Sequence, residues 1–249
     1  MTGEYWYLFY ILLFVVAFLY ASVGHGGASG YLALMAIYSV SPAEMKPTAL
    51  LLNLFVSLTS FIQFYRGGHF KWKTFLPFAL ASIPLAFIGG RIALDDNIYK
   101  KILGILLLFP IARFLFFPNA DVREMKESKF VPSLFIGGAI GLLSGMIGIG
   151  GGILLSPVLL LLKWTNQKQT AAISAVFIFV NSAAGLLGQF MGGNGVSFNA
   201  NMYAYVGIAF AGGLCGAYFG SLKFNQTILK YVLAGVLMLA VYKLLFTSA

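Results

Sequence analysis

The sequence predicts an all-α integral membrane protein made of two inverted-topology repeats. Hydrophobic residues make up 60% of the 249-residue chain and charged residues only 9%, whereas a soluble domain carries about 25% charged residues. Two glycine-rich clusters also recur at matching positions of the two halves. This composition excludes a soluble enzyme, an intrinsically disordered chain and a secreted disulfide scaffold. The net charge of +9 does not indicate nucleic acid, because the basic residues flank apolar spans.

Apolar runs separated by charge, glycine and proline predict ten helical elements in order along the chain. They lie at 5–23, 31–40, 47–65, 74–92, 98–117, 130–147, 153–163, 170–191, 202–222 and 227–247. Most reach the roughly 20 residues that cross about 30 Å of hydrocarbon. The first is interpreted as a retained span and not a signal peptide, because its leading charge is Glu4 and its apolar core is long. The elements at 31–40 and 153–163 are too short to span and are predicted to be half-helices.

The distribution of Lys and Arg predicts the orientation in the membrane. If each half-helix is re-entrant, the loops near 66–73, 113–129, 163–168 and 223–230 share one side and carry most of the basic residues. The other side carries Lys46, Arg91, Lys100, Lys101 and Lys243. By the positive-inside rule the first side is cytoplasmic. We therefore expect a multi-pass protein of the cell (inner or plasma) membrane with both termini outside.

An internal repeat divides the chain into a first transmembrane unit at 1–117, a linker at 118–129 and a second unit at 130–249. The run from Val23 to Ala28 matches the run from Ile147 to Gly152, and Thr48 and Gln63 match Ser174 and Gln189 at an offset of 126. Each unit has an odd number of crossings, so the two insert in opposite directions. Each is predicted to contain a Gly-rich helix break and a short half-helix plus about three full spans. Interrupted inverted repeats of this kind are typical of secondary transporters.

The two glycine clusters are the predicted substrate site. If each opens a half-helix, free N–H groups and a positive dipole end point into the membrane centre, where two opposed N-termini suit a small anion. The alternative is that these glycines only permit close helix packing, which is the role expected of Gly137, Gly138, Gly141, Gly145, Gly185, Gly188, Gly212, Gly213 and Gly216. The predicted substrate-binding residues of the clusters are Gly24, His25, Gly26, Gly27, Ser29, Gly148, Gly150, Gly151 and Gly152.

The polar and ionisable residues refine this prediction. All seven acidic residues fall in predicted loops or helix ends, which disfavours a cation site. His25 titrates near neutrality, so it is expected either to bind the anion, to carry a coupled proton, or to bond a backbone carbonyl. The repeat-matched pairs Thr48/Ser174 and Gln63/Gln189 are preferred as further substrate ligands over single polar residues such as Asn53, Ser156 and Asn181. No metal or other cofactor is expected, because the single cysteine, Cys215, lies in an apolar run.

At these clusters the sequence resembles the sulfite exporter TauE/SafE family of bacterial and plant anion permeases. The resemblance rests on the run LLSGMIGIGGG from Leu142 to Gly152, on Pro157 and on QTAAIS from Gln169 to Ser174. The first cluster departs from the family pattern, with His25, Ser29 and Gly30, and with Ala33 near the expected proline. Family members are associated with export or uptake of sulfite, thiosulfate, sulfonates and related organic anions. The resemblance therefore implies transport of a small sulfur-containing anion.

Two other functions are weighed against transport. Gly27-Ala28-Ser29-Gly30 matches the G-x-S-G pattern of rhomboid proteases, which would make Ser29 the nucleophile of an intramembrane serine protease. That chemistry needs a base within hydrogen-bond reach, and no later span contains a histidine. A scaffold or assembly factor would leave the paired clusters without a role. The sequence therefore favours a secondary transporter, which is not an enzyme, with a small anion and lipid as its partners.

Overall fold

The computed structural model describes residues 4–22, 26–116, 125–192, 200–220 and 226–246. Within these ranges the regular structure is entirely helical. The ten helices are α1 (Glu4–Ser22), α2 (Ala28–Ile37), α3 (Pro42–Arg66), α4 (Trp72–Arg91), α5 (Asp96–Phe116), α6 (Phe130–Ile147), α7 (Gly152–Leu161), α8 (Gln167–Met191), α9 (Ala200–Gly220) and α10 (Gln226–Phe246). Their number and order confirm the all-helical prediction. Among the residues whose side chains the structure describes, four helices, α3, α4, α6 and α8, are long and apolar enough to cross a membrane.

Helices α2, α3 and α8 begin at least three residues earlier than the sequence predicts. Helix α2 starts at Ala28 and not at 31, because the glycine before it already turns the chain into the helix. Helix α3 starts at Pro42 and not at 47, because a proline in the first turn loses no helical hydrogen bond. Pro47, taken from sequence as the start, lies inside the helix. Lys46, expected at the membrane edge, is consequently part of α3.

Glycines outside the clusters bring helices into backbone contact. A Cβ atom at Gly137, Gly141 or Gly145 of α6 would collide with the backbone of α4 at Phe78, Ser82 and Ala86 respectively. Cβ atoms at Gly212 and Gly216 of α9 would collide in the same way with carbonyls of α1. The packing role predicted for these glycines is confirmed, and it follows the small-xxx-small pattern of membrane helices.

Both short helices run back toward the start of the helix that precedes them. The backbone N–H of Lys126, before α6, donates to the carbonyl of Lys163, after α7, at 2.8 Å. In the first half, the ring of Phe9 on α1 lies 5.1 Å from the ring of Tyr38 at the end of α2. Each helix break therefore reverses the chain direction.

The two 25-residue helices, α3 and α8, form the centre of the bundle and pack against each other. Helix α4 packs against α6 and α8, α1 packs against α9, and α3 also contacts α9. Helices α5 and α10 pack together, and α10 also contacts α2. Of the four long apolar helices, α8 has the largest fraction of buried residues. The site described below lies where α8 packs against α3.

Candidate substrate site between two helix breaks

The second helix break is made by glycines in the left-handed backbone region. Helix α6 ends at Gly148 (φ 90°), and α7 begins after Gly151 (φ 76°), with Gly150 (φ 73°) between them. Side chains other than glycine rarely adopt this conformation. In the first half, α2 begins after Gly27 (φ 85°). The clusters at Gly26–Gly27 and Gly148–Gly152 therefore give the chain its reversals.

The first turns of α2 and α7 lack side-chain caps. The N-cap residues are Gly27 and Gly151, and neither supplies a side-chain hydrogen bond. The first N–H groups of an α-helix have no partner within the helix, and they carry the positive end of the helix dipole. Each cluster thus presents backbone donors suited to an anion.

The two breaks meet at the same pair of side chains. A Cβ atom at Gly26 would lie 3.4 Å from Asn53 Oδ1 and 3.0 Å from Ile178. A Cβ atom at Gly150 would lie 2.6 Å from Asn53 Nδ2 and 2.8 Å from Ile178. The breaks, more than 120 residues apart in sequence, therefore lie on either side of one contact between α3 and α8.

This contact lies near the middle of both central helices. Asn53 is 11 residues after Pro42, and Ile178 is 11 residues after Gln167, which places each about 16 Å along a helix of about 37 Å. Asn53 Nδ2 donates to Ser182 Oγ at 3.3 Å across the two helices. The breaks therefore converge halfway along the bundle, where a transporter with inverted repeats holds its substrate.

Three buried polar atoms at the breaks have no hydrogen-bond partner among the described residues: Asn53 Oδ1, Tyr31 Oη and Ser144 Oγ. The Tyr31 hydroxyl would be 2.6 Å from a Cβ at Gly27, and Ser144 Cβ would be 3.4 Å from one at Gly151. Leaving a buried polar atom unpaired costs about 1–3 kcal/mol. Unpaired atoms gathered at both breaks are what a site for a polar ligand would contain.

Of the other predicted ligands, only some lie near this centre. Ser174 is buried and shares a 2.7 Å hydrogen bond with Ser156, whose hydroxyl also donates to the Gly152 carbonyl. Thr48 is buried on α3. Gln189 is buried, and its Oε1 has no hydrogen-bond partner within the described ranges, whereas Gln63 is exposed. Gln63 lies ten residues after Asn53, and Gln189 lies eleven after Ile178. Although the two glutamines match in the repeat, neither lies at the contact between Asn53 and Ile178.

The predictions for the first break also include Gly24, His25 and Ser29. Gly24 and His25 lie outside the described residues. Ser29 is buried, and its hydroxyl pairs with Tyr20 Oη at 2.7 Å. His69 lies in the connection between α3 and α4. Nothing in the described part of the chain supports Ser29 as a protease nucleophile.

Some features of the centre were not distinguished from sequence. Asn53 was one of several single polar residues, and Ile178, Ser182, Tyr31 and Ser144 were not singled out. The sequence does indicate that Ile178 and Ser182 share one face of α8, because they are four residues, about one helical turn, apart. Which face of α3 meets which face of α8 depends on packing between the halves, which a single sequence does not specify.

Comparison with known proteins decides the family. The model of the "Sulfite exporter TauE/SafE" family matches residues 9–244. The chain belongs to this family. A probable membrane transporter protein of Sinorhizobium fredii is 38% identical over 95% of this chain and 96% of its own length. A probable membrane transporter protein of Bacillus subtilis is 24% identical over 93% of this chain and 95% of its own length.

A third relative, a probable membrane transporter protein of Methanocaldococcus jannaschii, is 30% identical over 53% of this chain and 51% of its own length. No solved structure matches the chain. The family and the apolar helices identify a multi-pass membrane transporter.

Proposed function

We propose that this TauE/SafE protein is a secondary transporter that moves a small anion across the cell membrane. The substrate is sulfite or another sulfur oxyanion or organosulfonate. It binds between the two helix breaks, and alternating access exposes that site to each side in turn. The observation that carries the proposal is the convergence of Gly26 and Gly150 on one contact between Asn53 and Ile178.

Two features favour an anion at this site. The uncapped first turns of α2 and α7 supply N–H donors and positive dipole ends. The acidic side chains that the structure describes, those of Glu44, Asp95, Asp96 and Glu127, are all exposed. A cation site in a membrane protein ordinarily needs a buried carboxylate, and the described carboxylates lie elsewhere.

The pattern of helix contacts supports an inverted repeat with units at 1–117 and 130–249. Exchanging α1–α5 in order with α6–α10 turns the contact of α4 with α6 into that of α9 with α1. The same exchange turns the contact of α3 with α9 into that of α8 with α4, and it maps the pairs α3–α8 and α5–α10 onto themselves. A two-fold relation of this kind provides the two equivalent arrangements that alternating access requires.

The apolar side chain of Ile178 widens the class of anions that the site can accommodate. Asn53 supplies an amide at the centre, whereas Ile178 supplies only hydrocarbon. A site with one polar and one apolar wall accommodates an anion that carries a small organic group as well as an inorganic oxyanion. Both sulfite and short organosulfonates therefore remain in the proposed substrate class.

Counterflow in proteoliposomes tests the proposal. Vesicles with purified protein are loaded with sulfite, thiosulfate, sulfate, a short alkylsulfonate or acetate, and the entry of labelled sulfite is measured. We expect accelerated exchange with sulfur anions and little with acetate, without added ATP. Exchange no faster than in protein-free vesicles for every anion of the panel would contradict it.

A further inference from the structure

We propose that Lys46 is a second anion-binding position of the transporter, located between the central site and the end of the bundle where α3 begins. This inference rests on the proposed anion transport and extends it to a residue outside the central site. The anion occupies the Lys46 position on its way into or out of the contact between Asn53 and Ile178.

Lys46 is a buried cation whose described partners are backbone carbonyls. Its side chain is 7% exposed. Its ammonium donates to the carbonyl of Gly90 at 3.0 Å and to that of Ile92 at 3.3 Å, at the C-terminal end of α4. The carboxylates whose side chains are described are exposed. Among the side chains that the structure describes, the positive charge of Lys46 is therefore offset by carbonyl dipoles and not by a carboxylate.

Carbonyl groups at a helix end compensate a buried lysine only in part. The C-terminus of a helix carries roughly half a negative charge, and a buried ion costs several kcal/mol unless it is fully paired. A lysine ammonium has three donors, and two of them are used here. The arrangement leaves one donor and part of the positive charge for an anionic ligand.

Lys46 is connected to both parts of the central site. It precedes Asn53 by seven residues on α3, which places it on the same helix face about 10 Å away along the axis. Its side chain also packs on the second break, where a Cβ at Gly148 would lie 3.3 Å from Lys46 Cγ. Ala49 and Leu50 are buried between Lys46 and Asn53 on this face of α3. Lys46 is therefore the first charged side chain on α3 from the central site toward the start of the helix.

The internal repeat argues against a purely structural role. The offset of 126 that pairs Thr48 with Ser174 pairs Lys46 with Ala172, and Ala172 is fully buried on α8. The second half thus has only a methyl group, that of Ala172, at the position that corresponds to Lys46. The repeated fold therefore does not itself require a charged side chain at this position.

Lys243 provides a matched control within the chain. Its ammonium donates to the carbonyl of Ile37, the last residue of α2, and to the hydroxyl of Ser39. Like Lys46 it therefore stabilises the C-terminal end of a helix. It is only half-buried and lies near the end of α10.

The test compares Lys46→Met, Lys46→Gln, Lys46→Arg and Lys243→Gln in proteoliposomes. The Michaelis constant for sulfite is measured, together with the rise in melting temperature that sulfite gives the detergent-solubilised protein. We expect both neutral Lys46 variants to raise KM about tenfold or more and to lose most of the sulfite-induced stabilisation. Lys46→Arg and Lys243→Gln should remain within about threefold of the wild type, about the effect of a screened surface charge.

The outcomes separate this inference from the proposed function. Wild-type protein that transports no anion of the panel would overturn both. Active wild type with an unchanged KM in Lys46→Met would overturn the Lys46 position alone. Failure of both neutral variants to fold would also overturn it, because the Lys46 ammonium on the Gly90 and Ile92 carbonyls would then serve folding and not the anion.

Discussion

The amide nitrogen of Asn53 on α3 donates to the hydroxyl of Ser182 on α8 at 3.3 Å, which joins the two halves of the chain across 129 residues. The oxygen of the same amide is buried without a partner among the described residues. Gly26 and Gly150 approach this amide from the two helix breaks. Asn53 is thus the polar group around which the proposed anion site is built.

Replacing Asn53 with aspartate should abolish anion transport with little change in shape. A carboxylate in place of the amide repels an anion, and like charges at close range cost several kcal/mol. We expect sulfite counterflow to fall about a hundredfold or more. The same substitution at exposed Asn97, at the start of α5, should leave the rate unchanged. Normal flux in Asn53→Asp would show that the anion does not pass this amide.

The two glutamines of the repeat should behave differently from each other. Gln189 is buried, with no partner for its Oε1 in the part of the chain that the structure describes, and Gln63 is exposed. Replacing an unsatisfied buried group with an apolar one is neutral or stabilising. We expect Gln189→Leu to keep or raise the melting temperature while sulfite flux falls severalfold, and Gln63→Leu to change neither. Equal flux in the two variants would exclude Gln189 from the path.

The hydroxyl pair Ser156 and Ser174 should contribute to stability. They share a 2.7 Å hydrogen bond beside the first turn of α7, and both are fully buried. Ser156→Ala leaves the Ser174 hydroxyl without its described partner and should cost about 1–3 kcal/mol, whereas Ser174→Ala should cost about 1 kcal/mol, because Ser156 keeps its bond to the Gly152 carbonyl. The double variant should cost less than the sum of the two. Thermal unfolding in detergent measures the stability of the wild type, the two single variants and the double variant. Losses of stability that simply add would show that the two hydroxyls do not interact.

His25 should make anion affinity depend on pH. Imidazolium attracts an anion and imidazole does not, so KM for an alkylsulfonate, whose own charge is constant, should rise between about pH 5.5 and pH 8. His25→Ala should flatten this profile, and His69→Ala, in the connection between α3 and α4, should preserve it. A wild-type profile in His25→Ala would assign the pH dependence to another group.

Much of the fold could be predicted because it depends on local patterns. Apolar runs gave the ten helices, and the positive φ angles at Gly148, Gly150 and Gly151 are ones that the clustered glycines themselves indicate. Helix starts were less predictable where proline allowed two interpretations. A start at Pro47 leaves Lys46 outside the helix, whereas α3 begins at Pro42 and Lys46 is buried within it.

The composition of the site was only partly predictable because it depends on contacts between the halves. Repeat matching selected Gln63, which is exposed, and gave no preference to Asn53, which has no polar counterpart at the offset of 126. Alignment of the two repeats identifies only positions at which both halves carry similar residues. The groups that make the centre asymmetric, Asn53 and Ile178, are found only when α3 and α8 are packed together.

Added bulk at Gly26 tests the central site most directly, because Gly26 lies outside the left-handed region that would strain a substitution at Gly27 or Gly151. A side chain there enters the space between Asn53 and Ile178, whereas Gly207 on α9 has open space around it. Sulfite counterflow is measured for Gly26→Val and Gly207→Val, with the reconstituted amount and the melting temperature of each as controls. We predict that Gly26→Val loses at least about 90% of the flux, a tenfold effect, while folded and reconstituted, and that Gly207→Val transports normally. Wild-type flux in folded Gly26→Val would contradict a substrate site between the two helix breaks.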